Sequence, residues 1–538
     1  MKKVWVILLV MFFGVMALGG SSSAWQGRMN GMGNPDGLIR DESDFLIHPA
    51  QITFGEGVKY YLDYKFTYTG LIHMDSDMKV DSDPFLGGRL TSGNTREHNT
   101  LAGASFPLAK GRMGVFFGYD KQNGDMDSDI KLFGSTTPVD SNADTRLDNY
   151  ALRLIYGQPV AGMNLGAEFG VAYRNEKQDD TLSIVDGPYS LSLEGIGATL
   201  PYMIPFNSSY WEMSGKIGLN KKVKKTDIDW TAYGAGILPE DSDNRYLLKF
   251  RESVSGIGGL GYRDEMNGDV SGYRMGTDLW VRYHIDENLS LPFVVSAGYT
   301  KKQRDGDGFI LPYAYGSAPF PPSVDVNLKY KDVLRTLNIK AGGGVEKECP
   351  GCGLIGAGLY YNYIQSRDRL DVRGWGEFEP AEDIEIAAAL LERGGFGGYG
   401  GYGHGYFNFP YHQEHRLVLN IAAEQIIKDL TVRGGLDFFY GWIRADNYGG
   451  SVNYTLGRYY GSGNISPALD GRTWGVTGSL GATKNFRGLT FEPFIRGGYQ
   501  FFDTNRDGWT RIGDTTIGLD KKKTEWISAG GLSVLFGK

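Results

Sequence analysis

The chain has 538 residues, a net charge of −8 and two cysteines. With no basic face and no nucleic-acid motif, it does not read as a nucleic-acid binder, and so few cysteines rule out a fold stapled by a disulfide framework. It holds 79 Gly, 33 Tyr, 28 Phe and 10 Trp at a mean hydropathy of −0.30, and after the N-terminus no stretch is long and apolar enough for a spanning helix. That combination points to an all-β envelope protein.

In chain order, Lys2 and Lys3 precede an apolar run, Val4 to Leu18, and the small residues Ser22-Ser23-Ala24. This is the pattern of a signal peptide over residues 1–24. Residues 25–56 lack strand alternation and read as an N-terminal arm, folded inside a barrel or at its periplasmic mouth; a disordered leader is the other reading. From residue 57 to 538 the chain alternates with period two. Tyr60, Leu62, Tyr64, Phe66 and Tyr68 oppose Lys59, Asp63 and Lys65. The same parity recurs around Met113–Tyr119, Tyr150–Tyr156, Leu165–Tyr173, Trp211–Leu219, Tyr273–Tyr283, Leu417–Ala423, Val432–Trp442 and Leu489–Phe501. Apolar and charged residues on opposite faces of segments about ten residues long mark transmembrane strands, which must close into a barrel because lipid satisfies no backbone hydrogen bond.

The connections alternate in length. Short ones are expected near 107–111, 157–162, 203–208, 284–288, 347–353, 426–429 and 485–488. Long polar ones are expected near 71–96, 120–145, 177–189, 224–268, 305–324, 371–411, 445–469 and 504–520. Seven short and eight long connections join sixteen strands, with 14 or 18 as alternatives, and put both termini on the periplasmic side. Arg245 to Val254 reads as a loop helix or as the extra hairpin of an 18-strand barrel. In the loop 371–411, Pro380 to Arg393 has helical composition, and the loop either folds into the lumen or stays at the surface.

Cys349-Pro350-Gly351-Cys352 falls in a short turn. A structural disulfide, free thiols or a partial metal site, and a redox pair are the three readings. The seven histidines form no metal-ligand spacing, no nucleophile elbow occurs, and neither a metal, a cofactor nor an enzymatic activity is predicted.

Charges on the inward parity cannot face lipid at mid-depth. They include Lys59, Lys65, Arg112, Arg153, Arg174, Lys216, Arg274, Arg282, Lys340, Arg416, Arg433 and Arg496, against Asp63, Glu168, Glu212, Asp278, Glu424, Asp437 and Glu492. More cations than anions predict a lumen that favours anions, the alternative being charges that pair across strands and fill a polar interior.

The segment Asp41-Glu42-Ser43-Asp44-Phe45-Leu46-Ile47-His48-Pro49-Ala50 resembles the N-terminal segment of the FadL-type transporters of hydrophobic compounds. Asp41-Glu42 matches that family's acidic pair and His48-Pro49-Ala50 its Asn-Pro-Ala, with His48 in place of Asn. The resemblance implies a hatch inside the barrel and hydrophobic cargo. The sixteen strands expected here exceed that family's fourteen. More broadly, the mature chain resembles bacterial outer-membrane porins, down to the terminal aromatic Phe536.

The sequence therefore predicts a barrel in the outer membrane of a Gram-negative bacterium that passes small polar or anionic solutes. One alternative is a FadL-like transporter of hydrophobic compounds. Another is a barrel scaffold around a partner such as a multihaem cytochrome. Outer-membrane lipid and small solutes are the expected partners, with homo-oligomers possible as in porins.

Overall fold

A computed structural model of the chain describes residues 26–32, 39–80, 83–132, 139–186, 189–194, 208–239, 246–254, 260–314, 326–349, 352–376, 402–408, 411–446, 449–456, 459–461, 464–465, 469–486, 488–505, 509–512 and 515–537. The expected signal peptide and the helical stretch Pro380 to Arg393 lie outside them.

Sixteen of the described strands close into one antiparallel barrel. They are β1 Lys59–Val80, β2 Asp83–Leu108, β3 Gly111–Leu132, β4 Val139–Val160, β5 Met163–Asp186, β6 Ser208–Val223, β7 Thr226–Pro239 and β8 Leu260–His284. They continue as β9 Leu289–Ala314, β10 Val326–Cys349, β11 Gly353–Gly376, β12 Tyr411–Ile427, β13 Leu430–Asp446, β14 Leu469–Phe486, β15 Leu489–Asn505 and β16 Thr515–Gly537. Each pairs with its neighbours in the chain, and β1 pairs with β16 from Lys59↔Gly537 to Val80↔Ile517, which closes the ring. No barrel edge is left to be satisfied in lipid, where an unpaired peptide group costs several kcal/mol.

The pleat then sorts the side chains. Phe169, Ile217, Leu359 and Ile495 point outward and stay 52–63% exposed because their solvent is lipid. A ring of aromatic pairs runs round one end of this apolar band. It includes Tyr119–Tyr150 at 4.9 Å, Tyr173–Trp211 at 5.1 Å, His415–Trp442 at 5.0 Å and Trp474–Phe501 at 4.0 Å between ring centres. From Tyr273 to Tyr283 on β8, strands rising about 3.3 Å per residue at a tilt of about 40° cover roughly 25 Å, the height of an outer-membrane band. The closed barrel and this belt place the protein in the outer membrane.

At the end opposite the aromatic ring the turns are tight. Ala109, Ala161, Lys224 and Lys428 take positive φ of 49–58° at the first position of two-residue links, the conformation that matches a hairpin's twist. Cys349 and Cys352 are joined by a disulfide in the β10–β11 link.

The expected strand count holds, but two strands are placed differently. The sequence reading put a short turn at 203–208 and one long connection over 224–268. Instead β6 and β7 are joined directly at Lys224-Lys225, and β7 occupies the start of the stretch read as a loop. The lysines of Lys221-Lys222-Val223-Lys224-Lys225 masked the turn. The alternation Asp227, Asp229, Thr231 against Ile228, Trp230, Ala232 begins immediately after it. Tyr246–Val254 is a strand and not a helix; it pairs with Tyr189–Glu194 and with β8, while Tyr189–Glu194 pairs with β5, so the two short strands bridge β5 and β8 beyond the ends of β6 and β7.

Candidate functional site

The bore is occupied by the N-terminal arm. A short helix, Gln26–Gly31, is followed by two 3-10 turns, Glu42–Leu46 and Pro49–Phe54. The first 3-10 turn is set by its own acids. The Asp41 carboxylate accepts from the Ser43 N–H at 2.9 Å, and Asp44 Oδ2 accepts from the Asp41 N–H at 3.0 Å. This reciprocal cap satisfies the orphan donors that begin the turn, with Glu42 its first residue. Burial, then the neighbouring Asp41, push the Asp44 carboxyl well above the usual range.

The wall holds this turn by charge. Arg153 Nη2 and Lys216 Nζ donate to the Leu46 carbonyl at 2.6 and 2.7 Å, and both cations face Glu168, at 2.7 and 3.4 Å. Arg28 reaches Glu424 at 2.9 Å and lies 3.9 Å from Asp41. Burial alone would lower Arg28, but the two carboxylates outweigh it and hold it above its ordinary value. Arg40 contacts Asp229 at 2.5 Å and Asp227 at 3.4 Å. Arg112 donates to the Gly57 carbonyl at 2.7 Å, where the arm turns into β1.

His48-Pro49-Ala50 is the most tightly seated part. His48 is 1% exposed, shares a hydrogen bond between Nδ1 and Thr231 Oγ1 at 2.8 Å, and meets the Trp280 ring edge-on at 4.3 Å. Burial, with Arg40 and Lys216 nearby, lowers its pKa to about 3, so the imidazole is neutral. Pro49 and Ala50 cross the wall where it has no side chains. A Cβ on Gly166 would strike the Ala50 nitrogen, and one on Gly218 would lie 3.0 Å from Pro49 Cδ. Glycine is required there because backbone packs on backbone.

Two apolar clusters complete the seat. Met29, Met32 and Ile39 pack on Trp280, Val294, Leu354 and Ala422. Phe45, Leu46 and Ile52 pack on Tyr61, Phe116, Ile155 and Leu535. The arm separates two cavities. The outer one, about 490 Å³, is lined by Tyr233, Arg274, Asn338, Lys340, Asn362 and Arg416 among others. The inner one, about 260 Å³, is lined by Phe45, Ile52, Phe54, Lys59, Tyr61 and Arg112 among others.

The lumen cations of the sequence reading have partners. Arg174 lies 3.7 Å from Glu212, which also binds Arg274; Arg282 binds Glu346. Arg433 meets Glu424 at 2.7 Å and Glu492 at 3.7 Å, and Arg496 meets Asp437 at 2.9 Å. Arg416 donates to Glu414 at 2.8 Å and covers the Phe439 ring. Lys340 lies over Tyr360, 4.8 Å from its centre. Lys59 is buried at the inner mouth, and Lys65 and Asp278 are half-buried on the wall, Asp278 in register with Thr231. The carboxylates absent from the sequence reading are Asp227, Asp229, Glu346 and Glu414. The first two sit on the missed strand. Glu346 follows the run Gly342-Gly343-Gly344, which has no readable alternation.

No family model matches the chain, and no curated protein matches it. Among solved structures, a deltaS2S3 mutant of the TodX monoaromatic hydrocarbon channel matches at 12% identity and a TM-score of 0.42, covering 96% of this chain and 99% of that one. The toluene transporter TodX of Pseudomonas putida matches at 11% identity and TM-score 0.35, over 96% and 99%. A Pseudomonas aeruginosa FadL homologue matches at 11% and 0.35, over 95% and 98%. Likeness at this level shows nothing of what this chain transports.

Proposed function

We propose that this protein is a gated outer-membrane channel for small hydrophobic solutes, with residues 26–56 as its hatch. The observation that carries the reading is the wall behind the hatch. Trp280, Val294, Leu354 and Ala422 on one side, and Phe116, Ile155 and Leu535 on the other, face inward and are apolar. A pore for ions has no use for such a surface, since water there is not repaid by hydration of the solute. Displacing the arm would uncover these two apolar patches on the wall of a passage between the two cavities. The solved structures named above include hydrocarbon channels and a toluene transporter, and that cargo class is the one to test first.

An open anion filter is supported less well. Its cations would be bound to carboxylates such as Glu168, Glu212, Glu346 and Glu424, and the arm fills the bore. A sheath around a cytochrome would need that bore empty. A small polar solute keeps one specific support, the polar lining of the outer cavity. Toluene uptake by cells whose outer leaflet is intact lipopolysaccharide, with and without the protein, and chloride conductance in a planar bilayer separate the two. The hydrophobic reading expects toluene entry with intact protein and no steady chloride conductance until residues 25–56 are deleted. Steady chloride conductance of the intact protein without toluene entry would overturn it.

A further inference from the structure

On the outer side of the arm, one row of inward positions crosses six strands in register. It runs from Tyr233 on β7 through Gly276 on β8, Gly298 on β9, Asn338 on β10 and Ile364 on β11 to Glu414 on β12. The two glycines leave a trough in the wall, and the Tyr233 side chain lies in it. A Cβ on Gly276 would strike the hydroxyl and Cζ of Tyr233, and one on Gly298 would lie 2.7 Å from the hydroxyl. Glycine inside a strand weakens it and marks a place where another group comes close. Here two in succession let a tyrosine stretch sideways across two strands. Its hydroxyl ends over Gly298, beside the strand that carries Asn338.

Tyr233, Asn338 and Asn362 all line the outer cavity, whose volume of about 490 Å³ falls among those of small-molecule sites. Among the described residues, neither the Tyr233 hydroxyl nor the Asn338 side-chain amide makes a hydrogen bond within the protein. The Asn362 Oδ1 atom is buried and has no partner either. The charged neighbours are occupied. Arg274 binds Glu212, Arg416 donates to Glu414 at 2.8 Å, and Lys340 lies over the Tyr360 ring. An anion in this cavity would compete with carboxylates already in place. A neutral group that can both donate and accept meets no such competitor. Beside these polar atoms, the Tyr233 ring and Ile364 supply apolar surface.

We infer that the outer cavity is a binding site for a neutral aromatic alcohol. The hydroxyl of such a solute accepts from the Tyr233 hydroxyl and donates to an amide oxygen of Asn338 or Asn362, while its ring lies against Tyr233 and Ile364. A hydrocarbon of the same shape leaves those polar groups without partners, and a site built to pair a hydroxyl discriminates against the analogue that lacks it. A hydroxylated arene is one class of the hydrophobic cargo proposed above, and the assignment rests on that reading.

The test uses the full chain folded in detergent and titrated near neutral pH with a matched pair of probes, para-fluorophenol and para-fluorotoluene, with para-fluorobenzoate as the anion. Binding is read by fluorine NMR. Tyr233→Phe removes the hydroxyl and keeps the ring, and it also controls for probe dissolved in the micelle. Y233F and N338A are each expected to weaken para-fluorophenol about fivefold and to leave para-fluorotoluene within about twofold. Equal effects on the two probes, no effect on either, or tighter binding of para-fluorobenzoate than of para-fluorophenol overturns the inference. If N338A folds poorly, Y233F alone decides it by the same two probes. Binding is read here without passage. Selective para-fluorophenol binding by a protein that admits no toluene therefore supports the site and strikes only the transport reading, whereas toluene entry without that selectivity strikes only the site.

Discussion

His48 shows how much one residue can decide. The sequence marks it only as a substitute for Asn in a short motif. The structure gives it Thr231, Trp280 and a dry pocket. Its pKa is about 3 when docked, against an ordinary 6.5. The docked arm therefore refuses a proton that the released arm accepts. Its contribution to docking is complete above pH 6.5 and drains away as pH falls toward 3. At pH 5 the loss is about 2 kcal/mol. Asp44 works in the opposite direction, because its raised pKa favours the docked arm more at low pH. His48→Gln isolates the histidine. From pH 7.5 to pH 5, openings of the wild type are expected to rise relative to those of H48Q, because the contribution of Asp44 is common to both proteins. An identical pH response in the two proteins would show that the imidazole has no part in the seat. The inward charges were legible from parity alone. Their pairing was not, because parity gives the face of a strand and only register gives the neighbour across it.

Among the elements, the glycines under the hatch make the sharpest prediction. Gly166 belongs to a regular strand, so Gly166→Val keeps the ladder and strand propensity but drives a side chain into the Pro49-Ala50 backbone. Its conductance is expected to resemble that of the arm deletion while the barrel's melting point stays near wild type. A closed channel would mean that the arm has a second seat. The Cys349–Cys352 bond is the opposite case. It spans a loop of three-residue separation, and its removal is expected to cost no more than about 2 kcal/mol, read as a small drop in thermal midpoint with unchanged conductance. At this scale the sequence was most readable where apolar and charged residues alternate cleanly, as in β4 and β15. It failed at β7, where a run of lysines looked like loop and hid a hairpin whose twist is carried by a positive φ at Lys224.

For the molecule as a whole, closure was legible because lipid leaves no other solution for so many alternating segments. The arm's place in the bore was not visible in any periodicity. The missing alternation over residues 25–56 left it inside the barrel or at the mouth, a short resemblance pointed to the inside, and its physical basis is distributed over the wall as glycines, inward apolar residues and cations such as Arg153 and Lys216, each ordinary when read alone.

The arm also joins β1 through a link only a few residues long, from Phe54 to Lys59. A segment tethered so closely meets its binding place at an effective concentration of roughly millimolar, whatever the abundance of the protein. A hatch on such a leash does not diffuse away. If residues 26–56 act as the proposed hatch, each release is followed by rapid recapture, and the expected record is a succession of brief openings that reset themselves without energy input or a second protein.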